Sequence, residues 1–494
     1  MLKALSIKSL SSISSRHFSS LSYFRSSAST NYDIVIVGAG IAGSSLACSI
    51  SSSPLLSNKK VALVDASPLK KISQWLPPTD RFSNRTVQIT AANQKFLSSI
   101  GIWDQLYQER VQPYSNVIVS DQLSGSKLTF DSISLSLPDN QSSAYLVENS
   151  NLHAAALKAL SASITPSKKI DIYQDAKVLS ISNSTSDTND WPLIQLSTGN
   201  SLKARLLIGT DGINSFVRKY ANIDSQGWDY NQFGLVANLI FDKLNTTAYQ
   251  RFLPSGPIAV LPLPNGFANL VWSLDTEIAS KLKLVSDELF VKFVNLAFRL
   301  PYYSDFQYLL SLIDSNGNLL PNTDFDKEAL WRLNKTPFDQ NNDLNLSDYL
   351  SNHSDFPPNV IEISTNSRQT FPLRLRIADK FYSNRVALLG DAAHTVHPLA
   401  GQGLNAGLSD VISLVNILKD AVRSGSDIGS STNVLRKYNS ERYWPNAALQ
   451  GSIDKLWRIF RSKNPIIYNA RKLGIDFIEK FPALKNKIVQ SSMF

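Results

Sequence analysis

Residues Tyr32 to Ala47, YDIVIVGAGIAGSSLA, restrict the possible folds more than any other part of the chain. An apolar strand, Ile34 to Val37, runs into Gly38, Gly40 and Gly43 in G-x-G-x-x-G spacing, and an alanine-rich helix start follows. The first glycine permits a tight turn, the second lets the backbone approach a pyrophosphate, and the third allows close packing of helix on strand. A second strand, Lys60 to Val64, ends at Asp65, 22 residues after Gly43. That offset is close to the roughly 20 residues at which an acid accepts hydrogen bonds from an adenosine ribose. A glycine-rich turn alone would carry little weight. Strand, helix and terminal acid together specify a dinucleotide site.

Two later segments repeat the pattern of a strand ending in an acidic turn. In Ala204 to Arg218, ARLLIGTDGINSFVR, Leu206 to Ile208 read as buried strand, Asp211 and Gly212 as the turn, and Ser215 to Arg218 as a helix start. An isolated Asp-Gly marks an ordinary turn; placed in sequence with two nucleotide-type segments, it reads as part of the same site. In Arg385 to Val411, RVALLGDAAHTVHPLAGQGLNAGLSDV, a short strand, Val386 to Leu389, stops at Gly390 and Asp391, and Gly401 and Gly403 precede a helix pattern. A helix start carries unpaired N–H groups and the positive end of the helix dipole, so it favours anionic cofactor atoms. Asp391, His394 and His397 also show D-x-x-H-x-x-H spacing, which invites a metal reading. Pro398 opposes a helix that would put all three on one face, and only two other histidines follow residue 30. We therefore expect no metal, with the histidines supporting the loop.

At 494 residues, 43% of them hydrophobic, the chain should form two or three structural units around a large core. No apolar run approaches the ~20 residues needed to span a bilayer, so any membrane association is expected to be peripheral. The single cysteine, Cys48, excludes an intrachain disulfide, an iron–sulfur cluster and a multi-cysteine zinc site, and reads as a small core residue. The first 30 residues hold Lys3, Lys8, Arg16 and Arg25, twelve serines and no acid, with Leu2, Leu5, Leu10 and Ile13 able to share a helix face. That is the mitochondrial transit-peptide pattern. Without those four basic residues the formal charge falls from +9 to +5.

Short strand candidates at Asn116 to Val119, Leu235 to Phe241, Ile258 to Leu263 and Asn269 to Leu274 suggest a sheet roofing the cofactor. Pro301 to Phe356, with nine acids against three basic residues, is expected to be an insertion with limited regular structure. From Leu435 the pattern is helical, and Trp444, Leu449, Leu456, Trp457, Ile459 and Phe460 are expected mostly in the core. Beyond Pro465, Ile466, Leu473, Phe477 and Phe481 alternate with Arg471, Lys472, Lys480, Lys485 and Lys487. This basic amphipathic segment is open to three readings: an anionic membrane contact, a partner contact, or ordinary helix packing. There is no internal repeat and no nucleic-acid module, and diffuse positive charge does not imply one.

Taken in order, and with NRTVQITAANQKFLSSIGIW from Asn84, YLVENSNLHAAALKAL from Tyr145 and RFLPSGPIAVLPL from Arg251, these segments resemble the single-component aromatic flavin monooxygenases. Within them the resemblance is to the ubiquinone-biosynthesis hydroxylases, and it covers nearly all the chain after residue 31. The combination of GDAAH, HPLAGQGLN and RFLPSGPIAVLPL is more specific than any single motif. It implies an α/β fold: a Rossmann-like FAD-binding domain of the p-hydroxybenzoate hydroxylase type, with an interleaved β-sheet substrate domain and a helical C-terminus. The expected boundaries are a transit peptide over 1–30, FAD-binding segments over 31–115, 146–222 and 381–430, substrate-domain segments over 116–145 and 223–380, the latter holding the insertion 301–356, and a helical region over 431–494.

The resemblance further implies that Gly38, Gly40 and Gly43 hold the FAD pyrophosphate, Asp65 the adenosine ribose, and Asp391 the ribityl and pyrophosphate region. Backbone at Gly401, Gly403, Leu404 and Asn405 would face the isoalloxazine and stabilise negative charge on reduced flavin. Arg85 would border flavin or phosphate, although a surface salt bridge accounts for it equally, and Asp211 would support the cofactor turn. The implied reaction is hydroxylation of a polyprenylated 4-hydroxybenzoate-type ring with oxygen through a flavin hydroperoxide, on the matrix side of the mitochondrial inner membrane and within a ubiquinone-biosynthesis complex. The sequence names no catalytic acid or base. Two electron routes stay open, hydride from NAD(P)H in the same cleft or electrons from ferredoxin and ferredoxin reductase, and the second is favoured. The competing readings are a flavin hydroxylase or epoxidase of another substrate, and a non-catalytic FAD-stabilised component of a biosynthetic complex.

Overall fold

The computed structural model describes residues 29–131, 142–164, 170–183, 191–333, 356–397, 401–481 and 484–485. The expected transit peptide, apart from its last two residues, lies outside them. Three segments far apart in the chain meet as adjacent parallel strands. Thr30–Val37 pairs with Val61–Val64 on one side and Ser201–Gly209 on the other, and Ser201–Gly209 pairs in turn with Val386–Leu388. Ile170–Tyr173 extends the parallel set beyond Val61–Val64. Val61–Val64 and Val386–Leu388 are buried throughout, as befits parallel strands covered on both faces. Helix Ile41–Ser52 packs against helices Asn149–Ser163 and Gly403–Arg423, and Cys48 is buried in its interior.

The register decides what this sheet can do. Val37 sits opposite both Val64 and Gly209, and Gly209 sits opposite Leu388. All four strands therefore end level, and the turns that follow them emerge side by side at the carboxyl edge, where open α/β sheets bind ligands.

A nine-stranded, mostly antiparallel sheet meets this edge where His394–Thr395, just past the turn after Val386–Leu388, pairs with its strand Gln369–Ala378. Its long central strand, Ser225–Phe241, pairs with Phe267–Asp275 and Gln369–Ala378; Gly256–Pro262, Thr247–Leu253, Asn116–Asp121 and Lys127–Phe130 continue it outward. The strand candidates read from the sequence all fall within these elements. One face buries Leu235, Ala237 and Leu239 with Phe290 and Phe293 of helix Asp287–Arg299. On the other, Asn238 and Asn269 are buried polar residues that stitch the sheet to the loop before strand Thr86–Thr90. Asn238 donates to Phe82 O and Asn269 to Asn84 O, while Thr86 Oγ1 donates to Asn269. Thr86–Thr90, Ala144–Glu148 and Gln112–Tyr114 form a small third sheet between the two large ones.

Two sequence expectations are corrected. The segment from Pro301 carries helices Tyr303–Ser311 and Phe325–Leu333, whose Phe306, Leu309, Phe325, Ala329 and Leu333 join the second core. Its asparagine- and aspartate-rich composition concealed a helical spacing of apolar residues; residues 334–355 lie outside the described set. In the C-terminal helix Arg436–Arg461, Trp444 is 71% exposed, and Leu456 and Ile459 are exposed as well, while Tyr438, Asn446, Gln450, Ile453 and Asp454 are buried. The polar side faces inward because it has deep partners. Asn446 donates to Asp410, Gln450 donates to Arg376 O and Thr395 O, and Tyr230 donates to Asp454.

The loop before Thr86 is also held by a buried ion pair. Arg110 meets both oxygens of Glu148 at 2.8 Å and donates to Pro78 O and Arg81 O. Glu148 is fully buried. Glu148→Ala should leave the Arg110 charge buried without its partner and lower the unfolding free energy by ~3–5 kcal/mol, read as a reduced denaturant midpoint.

Candidate active site

Around the glycine motif, steric demands can be assigned position by position. A Cβ on Gly43 would stand 1.9 Å from Gly38 O, and one on Gly38, at φ +102°, would stand 2.4 Å from Thr210 O. These two glycines therefore serve helix-to-strand and strand-to-strand approach. Gly40 differs, since a Cβ there would meet nothing within 4 Å. It begins helix Ile41–Ser52, whose first turn has no side-chain cap. Open space beside uncapped N–H groups suits a pyrophosphate.

Asp65 accepts from Ala39 N and from Ser67 N, both at 2.7 Å, so its carboxylate is fixed in direction at the strand end. It lines a cavity together with Gly38, Val64, Ala176, Lys177, Asp211, Asn214 and Phe216, a mixed polar and apolar surround for an adenosine. Asp211 occupies the same wall with its oxygens engaged. It accepts from Ser215 Oγ at 2.5 Å, Phe216 N at 2.6 Å and Val217 N at 3.2 Å, which caps helix Phe216–Tyr220. The structure thus gives Asp211 a turn-holding position.

A second cavity, of about 370 Å³, lies between the sheets. Val117, Ala248, Ala259, Leu261 and Val271 roof it; Thr86, Val87, Gln88 and Tyr114 form one wall, and Val396, Gly401, Gly403 and Leu404 close the far side. Among the described residues no charged side chain lines it. Burial raises the Tyr114 phenol above its ordinary range, so that group stays neutral. Helix Gly403–Arg423 starts at this cavity with no side-chain cap, and Gly401 adopts φ +61° at its approach. The residues present fit FAD: an open glycine cradle, an adenosine-side acid, and an uncapped helix start facing an apolar chamber.

Asn405 is placed differently from its neighbours. Its side chain ties the helix start to strand Thr86–Thr90, accepting from Asn93 Nδ2 at 2.9 Å and Thr90 N at 3.2 Å and donating to Gln88 O at 2.8 Å. Asp391 heads the turn after Val386–Leu388. Its side chain reaches solvent yet is hemmed in by protein, and burial raises its carboxyl while the nearby His394 opposes the shift. Arg85 projects outward from the strand start, exposed, with no ion pair or side-chain hydrogen bond among the described residues. The structure therefore brings Gly38, Asp65 and Asp211 together at one cavity and Gly401, Gly403 and Leu404 at the other, while the Arg85 side chain joins neither.

Sequence reasoning missed the groups that brace these turns. Asp410 is fully buried and accepts from Gly390 N, Arg442 Nε and Asn446 Nδ2, and bonds His394 Nε2 at 2.6 Å. Burial pushes its carboxyl up, but His394 and Arg442 outweigh this and hold it below the usual carboxylate range. An ionised Asp410 can only accept, so Nε2 of His394 carries the proton. Gly407 was also missed. A Cβ there would stand 3.3 Å from Gly390 Cα, so the helix lies directly on the Asp391 turn; the spacing of Gly403 and Gly407, four residues apart, was the available signal. His397 packs edge-on against Tyr230 at 4.9 Å. The two histidines thus engage different partners, and among the described residues no group of three or more His, Cys, Asp or Glu could hold a metal ion.

A family described as an FAD binding domain matches residues 306–448. The chain is 36% identical over 463 residues to the mitochondrial ubiquinone biosynthesis monooxygenase COQ6 of Schizosaccharomyces pombe, covering 93% of this chain and 91% of that protein. It is 37% identical to the Saccharomyces cerevisiae protein of the same name, covering 94% and 95%, and 34% identical to that of Homo sapiens, covering 94% and 92%. Among solved structures, p-nitrophenol 4-monooxygenase PnpA from Pseudomonas putida superposes with a TM-score of 0.63 at 17% identity, over 94% of this chain and 98% of that one. PqsL of Pseudomonas aeruginosa in complex with 2-aminobenzoylacetate gives 0.61 at 18% identity, over 91% and 100%. At such identity these two bear on the fold alone, and that fold is the one expected from the sequence.

Two outcomes test the site. Gly40→Val should weaken FAD binding by at least about tenfold, ~1.4 kcal/mol, with the melting temperature of the flavin-free chain little changed, whereas Gly43→Val should lower that melting temperature itself. Burial depresses the His397 imidazole to about 4, with Asp454 opposing; unfolded, it would titrate near 6.5. Between those values the unfolded chain binds the extra proton, so stability should rise with pH from about 4 to about 6.5, by ~3 kcal/mol from this group. Denaturant titrations at both ends of the window, with His397→Gln flattening the difference, read this directly.

Proposed function

We propose, since the chain belongs to the family of FAD-dependent ubiquinone-biosynthesis monooxygenases, that it hydroxylates the aromatic ring of a polyprenylated 4-hydroxybenzoate-type precursor. The observation that carries the substrate class is the cavity behind Gly401 to Leu404, uncharged among its described lining residues and roofed by Val117, Ala248, Ala259 and Val271. Such a chamber disfavours small ionised substrates and accepts a phenol ring with an apolar substituent. FAD, when bound, supplies the activation of oxygen and its transfer to the ring.

The chain's own residues do the rest. Gly40 and the helix start behind it receive the pyrophosphate, and Asp65 orients the adenosine ribose. Backbone N–H groups at Gly403 to Asn405 favour negative charge on the isoalloxazine. Asp391 lies at the ribityl side, on a turn fixed through Asp410, which holds Gly390 N and His394 together. The apolar walls exclude water that would divert oxygen to hydrogen peroxide.

The protein is mitochondrial, as the family is. Within the same reading it works at the matrix face of the inner membrane, in a ubiquinone-biosynthesis complex, and takes electrons from ferredoxin through ferredoxin reductase. In support, the sequence holds one dinucleotide fingerprint, which this reading assigns to FAD, and the chain without the transit peptide carries a formal charge of +5 that suits an acidic carrier.

With purified, FAD-loaded protein and a reducing system, prenylated phenol should drive oxygen uptake with stoichiometric ring hydroxylation; uptake only with small phenols or only with alkenes would remove the substrate assignment. Ala259→Phe, which fills the cavity, should lower kcat/KM on the order of a hundredfold while flavin content is retained.

A further inference from the structure

The last helix of the described chain is attached the wrong way round for a soluble protein. Pro465–Lys480 binds the body through polar groups. Arg471 meets both oxygens of Asp121, at 2.7 and 3.0 Å, in a pair nearly closed to solvent; Asp476 accepts from Ser126 Oγ and Glu479 from Thr129 N. Its apolar residues face outward: Ile466 is 78% exposed, Leu473 72%, Phe477 55% and Phe481 49%. With Ala470 these positions follow i, i+4, i+7, i+11, i+15 spacing, which is one face of a helix. Arg471 also donates to Ile459 O, which ties this helix to the end of the preceding one, where Leu456 and Ile459 are exposed as well.

Charge narrows what covers this ridge. From Lys455 to Phe481 there are seven lysines or arginines and two acids. Arg471 is committed inward, leaving Lys463, Lys472 and Lys480 exposed along the flanks. A convex apolar ridge between cations matches the boundary between anionic headgroups and acyl chains. Among the described residues no helix is long and apolar enough to cross a membrane, so the helix would lie in the interface plane.

The position of the ridge is equally specific. Strand Asn116–Asp121 carries Val117 in the cavity wall and Asp121 under Arg471. Side chains alternate along a strand, so the two point to the same face. On the neighbouring strand Phe252 stacks on Phe460 at 3.7 Å, on the same face as the cavity residue Ala248.

We propose that helix Pro465–Lys480, with the end of the helix before it, is the surface by which this protein docks on an anionic lipid bilayer, turning the cavity-bearing edge of the nine-stranded sheet toward the lipid. The orientation toward a lipid-borne substrate rests on the functional reading above; the docking surface itself does not.

The test is sedimentation of the FAD-loaded full chain with phosphatidylcholine vesicles, with and without phosphatidylglycerol. Binding should require phosphatidylglycerol and weaken with salt. Leu473→Ser with Phe477→Ser should cut vesicle binding by about tenfold or more and reduce turnover of a long-chain phenol held in vesicles, with flavin content, melting temperature and turnover of a short-chain phenol unchanged. Lys480→Glu should weaken binding to the anionic vesicles. Vesicle binding unaltered in the double variant, or absent from the unaltered protein, overturns the proposal. So does loss of self-association in the double variant without loss of vesicle binding, which would assign the ridge to a second copy of the chain. Vesicle binding without turnover of prenylated phenol would instead leave the docking surface standing and remove the substrate assignment.

Discussion

Everything at the site depends on the parallel register that aligns Val37 with Gly209 and Gly209 with Leu388. Backbone hydrogen bonding between strands fixes that alignment, and a slip of one residue would reverse the facing of every side chain in the shifted strand. Because the three strands end level, the glycine turn, the Asp211 turn and the Asp391 turn open onto one edge. None of these turns makes a binding site alone. The Thr210 hydroxyl, which donates to Val37 O and Gly38 O, couples the first two directly.

The third turn is braced by a polar interior rather than by apolar packing. Asp410 collects Gly390 N, His394, Arg442 and Asn446 in a region closed to water. A carboxylate buried with this many donors keeps its charge, and the four donors together tie three elements: the turn, the following strand and, through both Arg442 and Asn446, the C-terminal helix. The same logic explains why helix Arg436–Arg461 turns Asn446, Gln450 and Asp454 inward. Satisfied polar contacts at depth take the place that apolar burial holds elsewhere, and several large apolar side chains of the last two helices, Trp444, Leu456, Leu473 and Phe477 among them, are left at the surface.

Local chemistry made much of this legible in the sequence. Gly38 and Gly43 announce close backbone approach, Asp65 ends a strand at the expected offset, and Asp211 and Asp391 each follow an apolar run. The strands of the substrate sheet were visible from alternation and turn residues. What could not be read was pairing between distant side chains, such as Asn93 with Asn405 or His394 with Asp410. Nor does an amphipathic pattern state which face is inside. Trp444 was expected in the core, and Asn446 occupies it. Composition misled once, where asparagines and aspartates around Phe306 and Phe325 masked two helices with apolar faces.

The interleaving of the sheets also sets an order of assembly. Strand Thr30–Val37 acquires its partner Ser201–Gly209 only after the intervening chain exists, and the edge strand Val386–Leu388 arrives later still. The brace at Asp410 waits for Arg442 and Asn446. Contacts of such sequence separation make folding slow and leave partly formed sheets exposed in the meantime. A ligand that binds only the completed edge then shifts the whole folding equilibrium toward the native state. FAD supply would govern how much of this protein accumulates, as well as how much of it turns over.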